Sequence, residues 1–599
     1  MTRGASAIPT TGRPTPVVDR LGAASAPPPA VRRAGLLVSG SLTRKPENTT
    51  AEPGSSVAGL GCARALLRYS APAGVELFVP EENLGDIAAD LSHLAMTGGI
   101  GAVAPILTPV SGLKAALNAR PPIALHNIGG MDLASLSHAR QMLGGPIFPI
   151  TCMQYGFSYQ KLLREMATNR LLSQTFPCDA VICASETARQ ATARILERLQ
   201  GDLRSAAAPQ PWNFQLSVIP HGVETEVFRP RDRQDLRSLL ALPLDRTLIL
   251  YVGRVDPSSK TDIFPLLIAF QKIVAKHGDS VALVLAGPIG QRVQNLQAIV
   301  KEMGLSRHVI HRDNIARSSI PLYYSAADIF VSLSDTMQEN FGLTPLEAMS
   351  SGLPVVVSDW AGYRDTGVHG ETGFKITSRW MECDQDIADM APFHDWSSDH
   401  YCLAQSIAID VESVAHHLDL LVSHPELRTK MGAAARELVL SQYTWERSAR
   451  MFWELWTELS ARAQTLPPIE RGGQSLMRPQ YFGDFFSFAS ECLDGAARVK
   501  LTDRGLRVCR GKERTLQMDD ARNLIDAGLI LTLLRFVRMT GSIGQMTSVD
   551  HLVSMMQKKH AASTAAARRH ILWLLKYDLL RIDARQGPGA ASGRVNGVG

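Results

Sequence analysis

The sequence predicts an α/β protein with two doubly wound domains facing one another across a cleft, followed by a small, mainly helical C-terminal module. Three observations predict it. Short continuous apolar runs alternate with stretches of helical periodicity, which argues for parallel strands covered on both faces. The pattern ends near residue 220 and then restarts. At 599 residues the chain is also too long for one core, so two or three domains are expected.

Residues 1–34 are rich in Pro, Ala, Thr and Arg and read as a disordered tail. In the first domain, 35–220, the strand-like runs are Gly35–Ser39, Val75–Val79, Ile123–His126, Phe148–Thr151, Ala180–Ala184 and Leu216–Ile219. Helical stretches include Ala58–Tyr69, Gln160–Ser173 and Glu186–Leu199. The second domain, 221–445, repeats the alternation with strands Thr247–Val252, Val281–Ala286, Val309–His311, Ile329–Leu333 and Pro354–Ser358. Its helices fall near Asp262–Lys276, Val293–Met303, Pro321–Ala326 and Pro345–Ser350. Residues 405–464 are helical by periodicity, and 446–465 is expected to pack back on the first domain. Leu466–Gln474, with two prolines and two glycines, reads as a linker. An accessory helical module follows over 475–585, with Leu524–Val537 and Ala565–Leu580 its clearest helices, and 586–599 is a glycine-rich tail.

Hydrophobic content of 45% and charged content of 20% are ordinary for a soluble globular chain. A net charge of +5 is small for this length and does not argue for a nucleic-acid or membrane protein. The eight cysteines form no C-x-x-C pair and no zinc spacing, and several sit in apolar runs, as reduced core thiols do. No run of 18 apolar residues occurs, so no membrane span is expected.

Ligands in doubly wound sheets bind beyond the carboxyl ends of the strands, so the loops there carry the interest. Glu339-Asn340-Phe341-Gly342-Leu343-Thr344-Pro345-Leu346-Glu347 lies between two strands. Thr344 reads as a helix N-cap, Pro345 as the first helical residue, and Glu347 as the acid that completes a capping box. Gly352 before Pro354 ends that helix. The arrangement aims backbone N–H groups and a helix dipole at a cleft flanked by carboxylates, which suits a nucleotide diphosphate. Gly253, Arg254 and Lys260 follow the strand Thr247–Val252 and form a candidate anion clamp. A solvated surface pair is the bland alternative. Asp359–Asp365, with Gly362, follows another strand, and Ile219–Val223 marks a hinge or a plain interdomain turn. Gly59-Leu60-Gly61 lacks the third glycine and the later acid of a dinucleotide fingerprint, and neither a P-loop nor a G-x-S-x-G elbow occurs.

Together these loops resemble glycosyltransferase family four, the group 1 glycosyltransferases with the two-domain, Rossmann-like GT-B fold. The resemblance covers about 210–460. It rests on Ile219–Val223, Gly253-Arg254 with Lys260, Ala286-Gly287-Pro288, the pair Glu339 and Glu347, and Glu371–Phe374. It implies retaining, metal-independent transfer of a sugar from a nucleotide-diphosphate sugar to a polysaccharide, lipid-linked or other glycoconjugate acceptor. Arg254 and Lys260 would hold the diphosphate and stabilise the leaving group. Glu347 would bind the ribose and Glu339 the sugar hydroxyls. The backbone of Phe341, Gly342 and Leu343, with Thr344 and Gly253, would complete the donor site. No cofactor and no metal is implied. Asp384-Gln385-Asp386 matches the acidic triplet of metal-dependent sugar transferases but falls in a polar connector, where chance accounts for it.

The chain departs from the family at two places. Gly40-Ser41 opens a long polar stretch where a glycine pair is usual. Cys152–Gly156 stands where many members carry a histidine near the reacting sugar, so Tyr155, with Gln154 or His126, is the candidate on the acceptor side. These departures keep open a non-catalytic GT-B protein that binds through its cleft or its C-terminal module. Lys558, Lys559, Arg568 and Arg569 lie around short helices of winged-helix character, yet no nucleic-acid partner is expected. The expected location is cytoplasmic, with peripheral contact at the inner membrane face left open by lipid-linked acceptors.

Overall fold

The structure is a computed structural model that describes residues 32–38, 42, 54–70, 73–156, 159–204, 213–290, 293, 295–313, 315–380, 383–394, 396–469, 493–514, 525–542 and 546–583. The chain divides into two compact units, 1–478 and 479–599. The expected tails lie outside the described residues except for 32–34, and Ala34 already opens the first strand.

The first unit holds two parallel sheets. Strands β1 (Ala34–Leu37), β2 (Val75–Val79), β3 (Ile106–Pro109), β4 (Leu125–Asn127), β5 (Ile150–Gln154), β6 (Asp179–Cys183) and β7 (Phe214–Val218) lie in the order β3-β2-β1-β4-β5-β6-β7. The second sheet uses β8 (Thr247–Val252), β9 (Val281–Ala286), β10 (Val309–Arg312), β11 (Ile329–Ser332), β12 (Val355–Ser358) and β13 (Gly373–Ile376), in the order β10-β9-β8-β11-β12-β13. Winding therefore reverses between β1 and β4, and again between β8 and β11. Such a switch point opens a crevice beyond the strand ends. A short antiparallel pair, β14 (Ser378–Arg379) and β15 (Ala408–Ile409), lies outside both sheets.

The period of a strand explains why its apolar runs are unbroken. Leu248, Leu250 and Val252 of β8 enter one core, with Leu346 and Met349. Ile249 and Tyr251 enter the opposite one, with Leu266, Phe270 and Leu418. The edge strands β3 and β13 escaped the sequence reading. β3 is half-exposed at all four positions and ends in Pro109, while Gly373 and Lys375 interrupt β13. The helices Leu84–Met96, Leu113–Ala119 and Leu133–Leu143 also went unread.

Helix Trp445–Ala463 crosses to the first sheet. Thr444 caps it by accepting from the Arg447 N–H at 3.2 Å. Phe452, Trp453 and Trp456 share a core with Leu36, Leu77 and Met153, and the Trp456 indole donates to Thr151 Oγ1 at 3.1 Å. Gly59-Leu60-Gly61 lies inside helix Gly54–Arg68, with Gly61 under the Trp445 ring and Gly59 against Tyr155, which is a packing role.

In the second unit β16 (Arg498–Leu501), β17 (Thr547–Ser548) and β18 (Leu580–Ile582) form an antiparallel sheet in the order β17-β16-β18. Helices Asp503–Cys509, Ala527–Ser542, Val549–His560 and Thr564–Lys576 enclose a core that includes Leu533, Leu552, Met556, Ile571 and Leu574. The unit is mainly helical as expected. Its strands are two to four residues long, too short for a period to show in the sequence.

Candidate functional site

β8 and β11 are neighbours at the second switch point, and the loops that leave them bring Lys260 and Glu339 together. Tyr251 Oη donates to the Arg254 carbonyl at 2.7 Å. The loop then turns on Asp256, whose carboxylate accepts from the Ser258 N–H at 3.0 Å and its hydroxyl at 2.8 Å, and from the Ser259 hydroxyl at 3.0 Å. The turn is stitched to the β11 loop by Thr261 Oγ1 donating to the Leu333 carbonyl at 2.6 Å and Ser334 Oγ donating to the Lys260 carbonyl at 3.0 Å. Lys260 Nζ then reaches Glu339 Oε2 at 3.0 Å. Arg254 is half-buried and makes no ion pair among the described residues. Close approach fixes one residue beneath this loop: a Cβ on Gly287 would lie 2.1 Å from the Gly253 carbonyl oxygen.

The Glu339–Glu347 stretch differs from its sequence reading in one respect. The helix runs Leu343–Ser350, and its cap is Gly342 at φ +109°, with no side-chain cap. Thr344 is therefore inside the first turn, and no capping box forms. Glycine at that φ frees the loop to turn in so tightly that a Cβ would lie 2.7 Å from Tyr363. The helix ends as expected, with Leu353 N–H bonded to the Ala348 carbonyl and Gly352 N–H to that of Met349. Glu347, released from capping, accepts from Arg317 Nη2 on Oε1 and from Tyr324 Oη on Oε2 at 3.0 Å. Burial, and secondarily the charge of Glu339, hold the Tyr363 phenol well above its usual range, and its Oη lies 2.9 Å from Ser332 Oγ.

The neighbour of Glu339 ties this loop to the first sheet. Asn340 Nδ2 donates to the Gln154 carbonyl at 3.0 Å and to Gln154 Oε1 at 2.7 Å, at the end of β5. Ser185, just past β6, donates through Oγ to the Asn340 carbonyl at 2.7 Å. Thr187 N–H adds a bond to Asp365 Oδ2 at 2.8 Å. Asp335, also past β11, is buried and accepts weakly from the Asp262 N–H; burial pushes its carboxyl up to about 8.

The acceptor-side candidates are placed differently. Tyr155 stacks on His221, with centroids 5.9 Å apart, and its buried Oη meets no hydrogen-bond partner among the described residues. His126 is fully buried at 0% exposure, bonded through Nδ1 to Thr151 Oγ1 at 2.9 Å and edge-on to Phe452. Burial lowers its imidazole to about 3, so it stays neutral and faces core rather than an open cleft. His221 is lowered by the same cause to about 4. Gly40 lies outside the described residues. Asp384 and Asp386 lie at the start of helix Gln385–Met390. Among the described residues no group of three or more metal-ligating side chains gathers, and no helix is long and apolar enough to cross a membrane.

Arg317, Tyr324, Asp335, Asn340 and Ser185 were not singled out in the sequence. Arg317 precedes Glu347 by 30 residues and belongs to no periodic pattern, so only the fold could pair them.

Two parallel sheets with paired cations and acids at a switch point define a doubly wound α/β architecture. Residues 232–390 match the family model for glycosyl transferases group 1. A D-inositol 3-phosphate glycosyltransferase of Acidothermus cellulolyticus is 30% identical over 169 residues, 27% of this chain and 37% of that relative. A GDP-mannose-dependent alpha-(1-6)-phosphatidylinositol monomannoside mannosyltransferase of Mycobacterium tuberculosis is 25% identical over 241 residues, 39% of this chain and 54% of that one. The chain thus spans between 37% and 54% of the length of these two relatives. Sucrose-phosphate synthase of Thermosynechococcus elongatus superposes with a TM-score of 0.45 at 19% identity, over 72% of this chain and 100% of that one, too low a score to add to the topology.

Proposed function

We propose that the chain is a family-four glycosyltransferase that moves a sugar, with retention and without a metal, from a nucleotide-diphosphate sugar to a saccharide or lipid-linked acceptor. The observation that carries this reading is the meeting of Lys260 and Glu339 on the loops beyond β8 and β11, with Arg254 on the first of those loops and Glu347 in the helix that follows the second. A diphosphate needs countercharge, and Arg254 with Lys260 supplies it where a metal otherwise would. The N-terminus of helix Leu343–Ser350 adds its dipole. Glu347 keeps lone pairs for ribose hydroxyls even while it accepts from Arg317 and Tyr324, because a carboxylate offers about four acceptor sites. Lys260, released from Glu339 by the incoming phosphate, would leave that acid to accept from sugar hydroxyls.

The test is thermal unfolding with UDP, GDP and ADP. One of them is expected to raise Tm, and Lys260→Ala and Glu347→Ala to abolish the rise. An unchanged Tm with all three would count against the reading. A second reading, a GT-B protein that binds without turnover, is favoured by one observation: neither Tyr155 Oη nor His126 Nε2 has a hydrogen-bond partner among the described residues, and both are buried. Transfer or hydrolysis of any sugar nucleotide eliminates it.

A further inference from the structure

The C-terminal unit carries an exposed basic surface outside the loops assigned to the donor. Residues 479–599 contain 18 Lys and Arg against 11 Asp and Glu, a surplus of 7, whereas the whole chain carries only +5. The modest net charge therefore conceals a basic module. Its charge is also concentrated: between Asp550 and Asp578 there are five Lys and Arg and not one acid.

The geometry there is specific. Helix Val549–His560 ends in Ala561 at φ +52°, and a three-residue turn, 561–563, leads into helix Thr564–Lys576. Ser563 caps the second helix by accepting from the Ala566 N–H at 3.2 Å. Leu552 and Met556 of the first helix share a core with Ile571 and Leu574 of the second, so their crossing is fixed. β18 follows at once and returns beside β16. A three-residue connection between two helices that share a core is the connection of a helix-turn-helix, a motif whose second helix enters the DNA major groove.

The exposed stripe of that helix is Ala565, Arg568, Arg569, Leu572 and Lys576, at i, i+3, i+4, i+7 and i+11. Lys558 and Lys559 are exposed at the end of the first helix. Three other cations of the unit are paired, Lys500 with Asp583 and Arg504 and Arg507 with Glu513. Arg568, Arg569, Lys558 and Lys559 make no ion pair among the described residues. We propose that this unit docks on duplex DNA, with helix Thr564–Lys576 in the major groove and Lys558 and Lys559 on the phosphate backbone. Arg568 and Arg569 are the side chains placed to reach base edges, and Leu572 gives an apolar contact between them.

The test is fluorescence anisotropy of a labelled mixed-sequence duplex titrated with the full chain. Affinity is expected to fall steeply between about 50 and 200 mM salt, with a log–log slope of roughly −3 to −5. Arg568→Ala and Arg569→Ala should each weaken binding roughly tenfold, and Lys558→Ala and Lys559→Ala should each flatten the slope by about 1, all without lowering Tm. Arg535→Ala, on an exposed position of another helix, should change neither. Absence of binding at about 50 mM salt, salt-insensitive binding, or an equal loss with Arg535→Ala would overturn the proposal. So would capture by phosphatidylglycerol vesicles but not by the duplex, which would assign the surface to a membrane. Nucleotide protection of the first unit is read separately and does not bear on this outcome.

Discussion

Lys260 and Glu339, 79 residues apart in sequence, meet at 3.0 Å between the loops that leave the adjacent strands β8 and β11. The cation that a diphosphate would need is held by the acid that would receive the sugar. Lys260 is 29% exposed on its side chain but Glu339 only 7%, so Lys260→Ala leaves a largely buried carboxylate without its cation and should cost about 1–3 kcal/mol. The variant should lower Tm moderately and, measured against its own nucleotide-free baseline, lose nucleotide protection. Glu339→Gln should keep that protection and lower turnover instead. Thermal shift with and without nucleotide separates the two.

Arg317 presents the opposite balance. Its side chain is 12% exposed and its partner Glu347 only 4%. Removing one member of a buried pair leaves an uncompensated charge, which costs about 3–5 kcal/mol. Arg317→Ala should lower the unfolding free energy by that amount, read from the shift of the denaturant midpoint multiplied by m, and lose nucleotide protection as well. A variant that loses protection at full stability would show that Arg317 contacts ligand rather than supporting Glu347.

Asn340 carries the bonds to Gln154 and Ser185 that hold the two sheets of the first unit at this loop. Asn340→Ala removes both donors to Gln154 and leaves Gln154 Oε1 without one. It should cost about 1–3 kcal/mol and speed hydrogen exchange over residues 150–156 and 336–342 together. Faster exchange in only one of those segments would deny the link.

Asp335 gives a pH dependence of definite sign. Its carboxyl titrates near 8 when folded, against an ordinary value of 3.8. Between those values the folded state holds a proton that the unfolded chain does not, so this group's contribution falls as pH rises through the window. Asp335→Asn keeps an acceptor for the Asp262 N–H and cannot ionise. Its Tm advantage over the parent should be small near pH 4 and grow to a plateau above pH 8. A constant difference across that range would place the Asp335 titration elsewhere.

Much of this was legible in the sequence where burial on two faces wrote an unbroken apolar run. Thr247–Val252 and Val281–Ala286 were read at their observed bounds. Two of the four edge strands of the parallel sheets were not, because Ile106–Pro109 and Gly373–Ile376 mix apolar residues with the Pro, Gly or Lys that an edge tolerates. At the site, residue types gave the acids and cations of the donor loops. The cap was misread because the φ of Gly342 is set by packing on Tyr363, a contact between loops that no local pattern records. The partners of Glu347 and Asn340 come from other elements and leave no spacing to detect.

The most direct test of the central claim is release of nucleoside diphosphate from a panel of UDP-, GDP- and ADP-sugars by the whole chain. At least one sugar nucleotide should be turned over, and Lys260→Ala and Glu347→Ala should reduce turnover by about 100-fold or more, as the loss of a transition-state contact does. No release from any donor, or release unaffected by both substitutions, would contradict the assignment of the cleft between β8 and β11 as the site of transfer.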